Sequence, residues 1–402
     1  MVRIGSSTAR ADRRGLAHFV LPPRRGAVIT VSARGYNSAT VFRSIRRHST
    51  TVRIYQPKLQ WPMYGVDETR TGSQTHIRIR PPFRIRWALP TGGLIEYPAV
   101  VSDGVAYIGN AYGTVRAISM RFGTVLWRHD TPHGQMASSP AVVGDTIVVH
   151  GMDGHVWVLG RENGRLLWRF TIGSRIESSP IVSDGVDYFG AWNGTVYALD
   201  LRRHRLRWTY HSGYKITASA AIAGGTVYIG DYGGRLLALG ARTGRLRFAS
   251  SVNGKIYGTA AISAGRVFVP SSDGDSLTAF TTSGRRLWSF HTGAYVYSTP
   301  AVWGGRVFFG SYNGVFYCLS AASGGVLWDI RLGGAISGAA VVVDGIAYAS
   351  SFSGTTVGVN ARSGRVVFRF PHGHYVPISG NGFRLLLHGY STIFAIDPRR
   401  RR

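Results

Sequence analysis

A bulky aromatic residue recurs about every forty positions through most of this chain of 402 residues. The spacing is always 40 or 41 residues, and each aromatic residue closes one copy of a unit such as residues 178–208. The series consists of Trp87, Trp127, Trp168, Trp208, Phe248, Trp288, Trp328 and Phe368. A glycine stands fourteen residues before every member from Trp127 onward, and most members have another glycine four residues before them. A period of this length predicts a propeller or solenoid.

Four short strands can be read within residues 178–208, as SSPIV, DGVDYFG, GTVYALD and RLRW. The dipeptides Asn193-Gly194 and Asn313-Gly314 are typical of two-residue hairpins, because both central positions need positive φ. Seven complete units end at Trp127 through Phe368, and residues 377–397 supply three further strands. The unpaired strand 83–89 can provide the outer strand that these three lack. We therefore predict an all-β, eight-bladed propeller over residues 83–398, closed by pairing its two ends.

Three segments lie outside the predicted propeller. Residues 1–55 are expected to form short strands, including 16–22 and 28–36 around a turn at 23–26. Residues 56–82 are expected to be a linker that packs on the propeller, because aromatic residues such as Trp61 are costly to leave in water. Residues 399–402 form a basic tail.

The formal charge of +28 is unevenly distributed. Residues 1–86 hold 17 basic and 3 acidic residues, so half of the excess lies outside the repeats. Only Lys58, Lys215 and Lys255 are lysine, and a GC-rich genome would produce such an arginine bias without selection for a ligand. No element that reads nucleic acid is recognisable, so nucleic-acid binding is a secondary alternative. The single cysteine, Cys318, excludes an internal disulfide, and no run of 18 apolar residues predicts a membrane helix.

The repeat resembles a known family. The stretch ALGARTGRLRF at 238–248 is similar to the tryptophan-docking repeat of the quinoprotein-type (PQQ-like) β-propellers, which include BamB-like envelope proteins and quinone-dependent dehydrogenases. The opening WPMYGVD at 61–67 resembles the segment that precedes the first blade in that family. The turn at 12–15 and the strand end VSARGY resemble the last strands of a carboxypeptidase-regulatory-like β-sandwich. That second resemblance implies a partial sandwich and a start before Met1.

The resemblance leaves two functions open. Dehydrogenases of the superfamily hold calcium and a catalytic aspartate beside the quinone cofactor, and many carry a vicinal cysteine pair. This chain has one cysteine, 19 carboxylates and no Glu, Asn and Asp set at matching repeat positions. We therefore expect a non-catalytic binding scaffold with no cofactor and no metal. A PQQ- and calcium-dependent dehydrogenase is the main alternative.

Three columns of the repeat hold candidate binding positions, two of them in the blade-joining loops and one in the hairpin turns, and a fourth column is structural. Loops that join consecutive blades ring one mouth of a propeller channel, and cations there would attract an anionic ligand or an acidic partner segment. The predicted mouth site consists of Arg175, Lys215, Lys255, Tyr257, Tyr295, Tyr297 and Tyr375. Candidate partner-binding aromatics in the hairpin turns are Trp192, Tyr232, Tyr312 and Phe352. Tryptophans expected to pack between blades are Trp127, Trp168, Trp208, Trp288 and Trp328.

The expected partner is an envelope protein or an anionic ligand, bound by a monomeric propeller. An extracytoplasmic location, secreted or in the cell envelope, follows from the resemblance alone. No apolar segment of a signal peptide follows Met1, and an incomplete start would account for that.

Overall fold

The structure is a computed structural model that describes residues 1–12, 15–19, 26–43, 50–132 and 135–399. Within these ranges, eight sheets of four antiparallel strands follow one another around a central channel, and a smaller sheet precedes them. The seventh blade gains a fifth strand, Ser73–Gln74, which pairs in parallel with its first strand. The predicted eight-bladed β-propeller is confirmed.

Each blade runs outward from the channel in strand order. The first strands are Val100–Ser102, Ala141–Val143, Val182–Ser183, Ala221–Ala223, Ala261–Ser263, Ala301–Trp303, Val341–Val343 and Ile378–Asn381. The second strands are Val105–Gly109, Thr146–His150, Val186–Gly190, Thr226–Gly230, Arg266–Ser271, Arg306–Gly310, Ile346–Ser351 and Arg384–His388. The third strands are Thr114–Ser119, His155–Gly160, Thr195–Asp200, Arg235–Gly240, Ser276–Thr281, Val315–Ser320, Thr355–Asn360 and Thr392–Pro398.

The outer strands are Val125–Asp130, Leu166–Thr171, Arg205–His211, Leu246–Ser251, Arg286–His291, Val326–Arg331, Val366–Pro371 and Phe83–Pro90. They alternate exposed and half-buried residues, as in Arg205–His211, because only one face of the outer strand meets a neighbouring blade. Second and third strands are buried on both faces, as in Val186–Gly190, because blades stack face to face. Every outer strand has a register shift against its third strand, which is a bulge repeated in all eight blades.

The two ends of the propeller pair as predicted. Phe83–Pro90 is antiparallel to Thr392–Pro398, with Leu89 opposite Ile393 and Trp87 opposite Ala395. The last blade therefore takes its outer strand from the beginning of the array, and the ring has no gap.

The repeated tryptophans lie between neighbouring blades. The indole N–H of Trp208 donates to the carbonyl of Ala241 in the next blade at 2.8 Å, and Trp127, Trp288 and Trp328 make the equivalent bond. Each of these rings also lies against a glycine of the next blade, as Trp208 does against Gly244. Trp168 differs, because His204 replaces that glycine and its ring stacks on the indole at 4.2 Å. Burial of these rings against the next blade joins the blades laterally.

Residues 59–74, which we call the floor segment, cross one end of the channel. Backbone hydrogen bonds connect this segment to the first strands of six blades at Val101, Val142, Ile222, Ile262, Val302 and Val342. Leu59 accepts from Gly382 in the eighth blade at 3.0 Å. Arg70 supplies the contact with the third blade, since its guanidinium donates to Pro180 at 3.0 Å. The floor segment thus contacts all eight blades.

Arg70 is fully buried at this end of the channel. Its guanidinium donates to the carbonyl oxygens of Tyr64, Pro180 and Ala220, and it lies 5.4 Å from the centroid of the Tyr64 ring. Burial lowers the pKa of Arg70 to about 10. Carbonyl groups that point into the channel therefore find a donor, which a buried backbone acceptor requires.

The sheet at the N-terminus has strand order Ser7–Ala9, Val2–Ile4, Ala27–Val31 and Ala39–Arg43. Ala27–Val31 overlaps the first half of the predicted second strand, but Leu16 to Phe19 lie in no strand, so that part of the prediction is wrong. The rest of the predicted strand 16–22, most of the turn 23–26, residues 44–49 and the tail after Arg399 lie outside the described residues. Asn37 connects this sheet to the first blade by donating to Asp103 at 2.7 Å. A short 3-10 helix, Pro57–Leu59, follows.

Candidate functional site

The wall of the channel is formed by hydroxyl side chains at one position of successive blades. The backbone N–H of each residue donates to the hydroxyl oxygen forty positions later: Ser139 donates to Ser179 at 3.0 Å, and Ser179 donates to Ser219 at 2.8 Å. Ser219 continues to Thr259 and Thr259 to Thr299, at 3.2 and 3.0 Å. This chain of hydrogen bonds fixes the loops that precede the first strands, because each loop is held by its neighbour.

Above this wall the blade-joining loops form a cavity that opens to solvent. Tyr64 of the floor segment lines its lower end, and the cavity wall is rich in phenol rings and hydroxyl groups. Its residues come mainly from the loops before blades one, four, five, six, seven and eight: Glu96, Tyr97, Thr217, Tyr257, Thr259, Tyr297, Thr299, Ser337 and Tyr375. The channel is therefore a funnel with a floor.

Aromatic side chains form a continuous arc along one side of the mouth. Tyr257 packs edge-on against Tyr297 at 4.9 Å between ring centroids, and Tyr297 lies 4.9 Å from Tyr312. Tyr312 contacts Phe352 at 6.0 Å, and Phe352 contacts Tyr375 at 5.2 Å. The arc joins residues that lie in different columns of the repeat, and it spans four blades.

Of the seven residues predicted for the mouth site, Tyr257, Tyr297 and Tyr375 line the cavity. Tyr295 lies outside it, is half exposed, and contacts Tyr297 and Tyr312 edge-on or tilted. The three cations do not converge. Their positions decide the charge of the site.

Lys215 and Arg175 both lie on Trp192. The Lys215 ammonium is 3.3 Å from the centroid of the indole ring, and the Arg175 guanidinium is 4.8 Å from it. Lys215 also lies 5.0 Å from the ring of Tyr232, and burial lowers the pKa of Lys215. Two of the candidate partner-binding aromatics are thus occupied by cations of the same chain.

Lys255 forms an ion pair elsewhere. Its ammonium lies 3.0 Å from Asp273 in the adjacent hairpin turn, and this hydrogen bond raises the pKa of Lys255. Because Asp273 neutralises it, Lys255 adds little positive charge to the funnel. The same contact engages the carboxylate of Asp273, which lies in one hairpin turn with Asp275.

Two glutamates lie at the mouth, in the same column of the repeat as Tyr257 and Tyr297. Glu177 is buried and accepts hydrogen bonds from the indole of Trp192, at 3.1 Å, and from the hydroxyl of Tyr257. Burial, followed by the charge of Glu177, raises the pKa of Glu96. Burial and the same glutamate raise the pKa of Tyr257 far above its usual value. We did not select these carboxylates from the sequence, although their shared column with the tyrosines was a usable signal.

The two faces of the propeller carry opposite charge. Described loops on the mouth side hold three cations and six carboxylates: Arg175, Lys215, Lys255, Glu96, Asp153, Glu177, Asp231, Asp273 and Asp275. Turns on the floor side hold ten arginines and five carboxylates: Arg121, Arg161, Arg165, Arg202, Arg203, Arg242, Arg245, Arg285, Arg362, Arg365, Asp103, Asp145, Glu162, Asp184 and Asp344. A uniform arginine bias would not separate the charges in this way. The separation leaves the described loops of the mouth with more carboxylates than cations.

The funnel does not fit PQQ with calcium. Calcium takes six to eight oxygen ligands, whereas the described residues contain no group of three or more His, Cys, Asp or Glu side chains placed to hold a metal. An anionic quinone would also face Glu96, and no cation lines the described part of the cavity.

The described part of the chain contains no helix long and apolar enough to cross a membrane.

A protein-family model described as "Outer membrane protein assembly factor BamB" matches this chain at residues 111–215, 192–300 and 284–395. Proteins of that name in Bordetella pertussis and Yersinia pestis are 30% identical to it over 81 and 120 residues. These segments cover 20% and 26% of this chain and 21% and 30% of the relatives. A quinoprotein ethanol dehydrogenase of Pseudomonas aeruginosa is 30% identical over 101 residues, which is 22% of this chain and 16% of the enzyme. The chain thus matches less than a third of the length of each of these relatives.

Two solved structures share the fold. BamB from Moraxella catarrhalis has a TM-score of 0.67 at 16% identity and aligns over 80% of this chain and 99% of its own. The quinohemoprotein alcohol dehydrogenase of Comamonas testosteroni has a TM-score of 0.74 at 12% identity, over 85% of this chain and 81% of its own.

Proposed function

Since this chain belongs to the family described as outer membrane protein assembly factor BamB, we propose that it is a non-catalytic binding scaffold of the cell envelope. Its partner is an envelope protein that docks on the mouth face of a monomeric propeller. The relatives named as assembly factors support an envelope location and a binding role.

The observation that carries this proposal is the concentration of exposed aromatic side chains on the mouth face. Large aromatic residues that are more than a third exposed on this face are Tyr112, Tyr214, Tyr295, Phe352 and Tyr390. Tyrosine and other aromatic residues are enriched where proteins bind each other, because they bury a large area at a small cost in side-chain entropy. The arc from Tyr257 to Tyr375 gives this surface a rigid base.

Among its described residues, the mouth face offers contact surface but no catalytic group in a productive arrangement. Its buried carboxylate, Glu177, is held by two hydrogen-bond donors, and Lys255 is paired with Asp273. Side chains held in this way contribute to the shape and charge of the surface.

Binding at the mouth can be tested with paired variants on opposite faces. A tagged chain carrying Tyr295→Ala and Phe352→Ala should lose at least tenfold of its captured envelope partner, because both exposed rings are removed. Phe122→Ala removes a ring that is 64% exposed on the floor side and should leave capture unchanged. Fractionation of the same tagged chain should place it in the envelope. Equal capture by both variants, or recovery outside the envelope, would contradict the proposal.

A quinone-dependent dehydrogenase is the alternative that the Pseudomonas and Comamonas enzymes favour. Dye reduction measured with PQQ, calcium and a panel of primary alcohols separates the two functions. We expect no turnover above the protein-free rate. Turnover that requires both PQQ and calcium would overturn the scaffold proposal.

A further inference from the structure

We infer that the funnel binds an alkylammonium group, with Glu96 as the counter-charge and tyrosine rings as the surrounding walls. This deepens the proposed function, on which it rests for the position of the ligand at the mouth. The group can belong to a small molecule or to a lysine side chain of the docked partner, and the experiment below distinguishes these sources.

The rings form walls on several sides of the cavity. Tyr64 meets Tyr97 edge-on, with 5.7 Å between ring centroids and 73° between ring planes. Tyr257 meets Tyr297 at 4.9 Å and 82°. All four rings line the cavity, and the electron-rich face of an aromatic ring attracts a cation within about 6 Å of its centroid.

Glu96 lines the same cavity and lacks a cation. It is half-buried, and no hydrogen bond or ion pair connects it to any residue that the structure describes. Two other part-buried carboxylates, Asp103 and Asp397, are paired with Arg161 at 2.7 Å and with Arg384 at 2.6 Å. A carboxylate that leaves water without a partner is unfavourable, and burial already raises the pKa of Glu96. An ammonium group in the funnel would restore the missing pair.

The cations of the chain do not supply that charge. Lys215 and Arg175 lie on the face of Trp192, and Lys255 is held by Asp273. Glu177 accepts a hydrogen bond from the hydroxyl of Tyr257 and adds a second negative charge near the funnel. Below the funnel, Arg70 lies 5.4 Å from the centroid of the Tyr64 ring, where backbone carbonyl oxygens hold its guanidinium. At the mouth an anion would therefore meet two carboxylates, whereas a cation would meet opposite charge and the other aromatic rings. The contacts thus favour a cationic ligand. The sequence analysis expected an anionic ligand instead, because Lys215 and Lys255 lie at the mouth.

Calorimetric titration with choline and with 3,3-dimethyl-1-butanol tests the charge directly. The two probes have nearly the same shape, but only choline is cationic. We expect choline to bind at least tenfold more tightly than the neutral alcohol, and Glu96→Gln to remove most of that preference. Glu162→Gln, which changes an exposed glutamate on the floor side, should leave it unchanged. Binding of choline should weaken as the pH falls, because protonation removes the charge of Glu96.

A second pair of probes identifies the source of the ammonium group. An acetylated, amidated Gly-Lys-Gly peptide that binds more tightly than choline would assign the site to a partner lysine, and its Nε-acetylated form should not bind. The opposite order would assign it to a small molecule. Tyr97→Leu should weaken both probes severalfold through loss of one wall, and thermal unfolding of each variant shows that the fold is retained.

Equal affinity for choline and the neutral alcohol would overturn this inference, as would a preference of Glu96→Gln for choline equal to that of the unchanged protein. Either result would leave the proposed function intact if partner capture still depended on Tyr295 and Phe352. Loss of that dependence, with choline binding retained, would instead contradict the proposed function alone.

Discussion

The contact between one indole and one glycine is the smallest unit that holds neighbouring blades together. Gly244 has φ of 69°, and a methyl group added to it would lie 2.6 Å from the ring of Trp208. The position therefore needs glycine for two reasons, a left-handed backbone and the close approach of a ring. His204 shows the other solution, with φ of 53° and a stacked imidazole in place of close approach.

Gly244→Ala should lower the free energy of unfolding by about 2–4 kcal/mol, since a left-handed alanine and an overpacked ring contribute together. Gly225→Ala is a matched control in the same blade, with φ of 66° and open space around the added methyl group. It should cost about 1 kcal/mol through the backbone alone. Urea unfolding of the two variants measures the difference, and equal losses would show that the Trp208 ring moves aside freely.

The mouth shows what residue columns predict and what they miss. Period and spacing placed Tyr257, Tyr297 and Lys255 in loops at the mouth, because each blade repeats the same backbone. The direction of each side chain depends on the neighbouring turn instead. Lys255 forms an ion pair with Asp273, and the Lys215 ammonium lies on the ring of Trp192. These partners lie about twenty residues from the lysines in sequence, and although Trp192 belongs to the column of hairpin-turn aromatics, the columns do not show which loop side chain contacts which turn.

At the scale of an element, the strand Phe83–Pro90 completes the last blade, and a histidine supports the same closure. His388 is buried at the end of Arg384–His388, and its Nε2 accepts a hydrogen bond at 3.1 Å from the backbone N–H of Ala99, just before the first blade. A ring nitrogen that accepts cannot carry a proton, so this bond requires neutral histidine. Burial accordingly lowers the pKa of His388 to about 3.

Acid should therefore loosen the closure between the last and first blades. Below pH 6.5 the unfolded chain takes up a proton on His388, whereas the native protein does so only near pH 3, so stability falls as the pH drops through this window. The expected loss for His388 is on the order of 5 kcal/mol. The variant His388→Gln should lose less stability between pH 7 and pH 4 than the unchanged protein, measured by urea unfolding. The exposed residue His291 provides the control as His291→Gln, and identical pH profiles for all three proteins would refute this role.

The repeated bulge is a second feature of the elements, and it was not visible in the sequence. It sets an extra residue at the same point of every outer strand, where Leu126 and Leu167 are about half exposed. A bulge twists an edge strand and interrupts its row of free backbone groups, which hinders pairing with another molecule. Hydrophobic alternation predicted the outer strands but not this irregularity, because the bulge depends on pairing with the third strand.

For the whole molecule, the floor segment joins the blades at the axis while the tryptophans join them farther out. Sequence reasoning treated this stretch as a linker, because it does not repeat and carries no strand pattern. Its real partners are backbone groups of first strands up to 270 residues away, such as Val342 with Gly72 at 2.9 Å. Only the closed ring brings those groups together, so no local pattern could have indicated them.

Arg70→Met should lower the free energy of unfolding by roughly 3–5 kcal/mol, because several buried carbonyl oxygens lose their donor. Arg78→Met, which removes a side chain that is 69% exposed, should change it by less than about 1 kcal/mol. Guanidinium unfolding compares the two variants, and a small effect of Arg70→Met would show that water replaces the guanidinium at the axis.

The position of the floor segment in the chain also has a consequence for synthesis. A ribosome makes residues 59–74 and the closing strand Phe83–Pro90 before any blade, so both must wait while some 300 residues emerge. Each new blade can form its backbone hydrogen bonds to the floor segment as it leaves the ribosome. The floor segment then serves as a template for the ring. The closing strand finds its partner, Thr392–Pro398, only at the end of translation. Contacts so distant in sequence form slowly, and until the last strand is released one edge of the growing ring is open to chaperones and to aggregation.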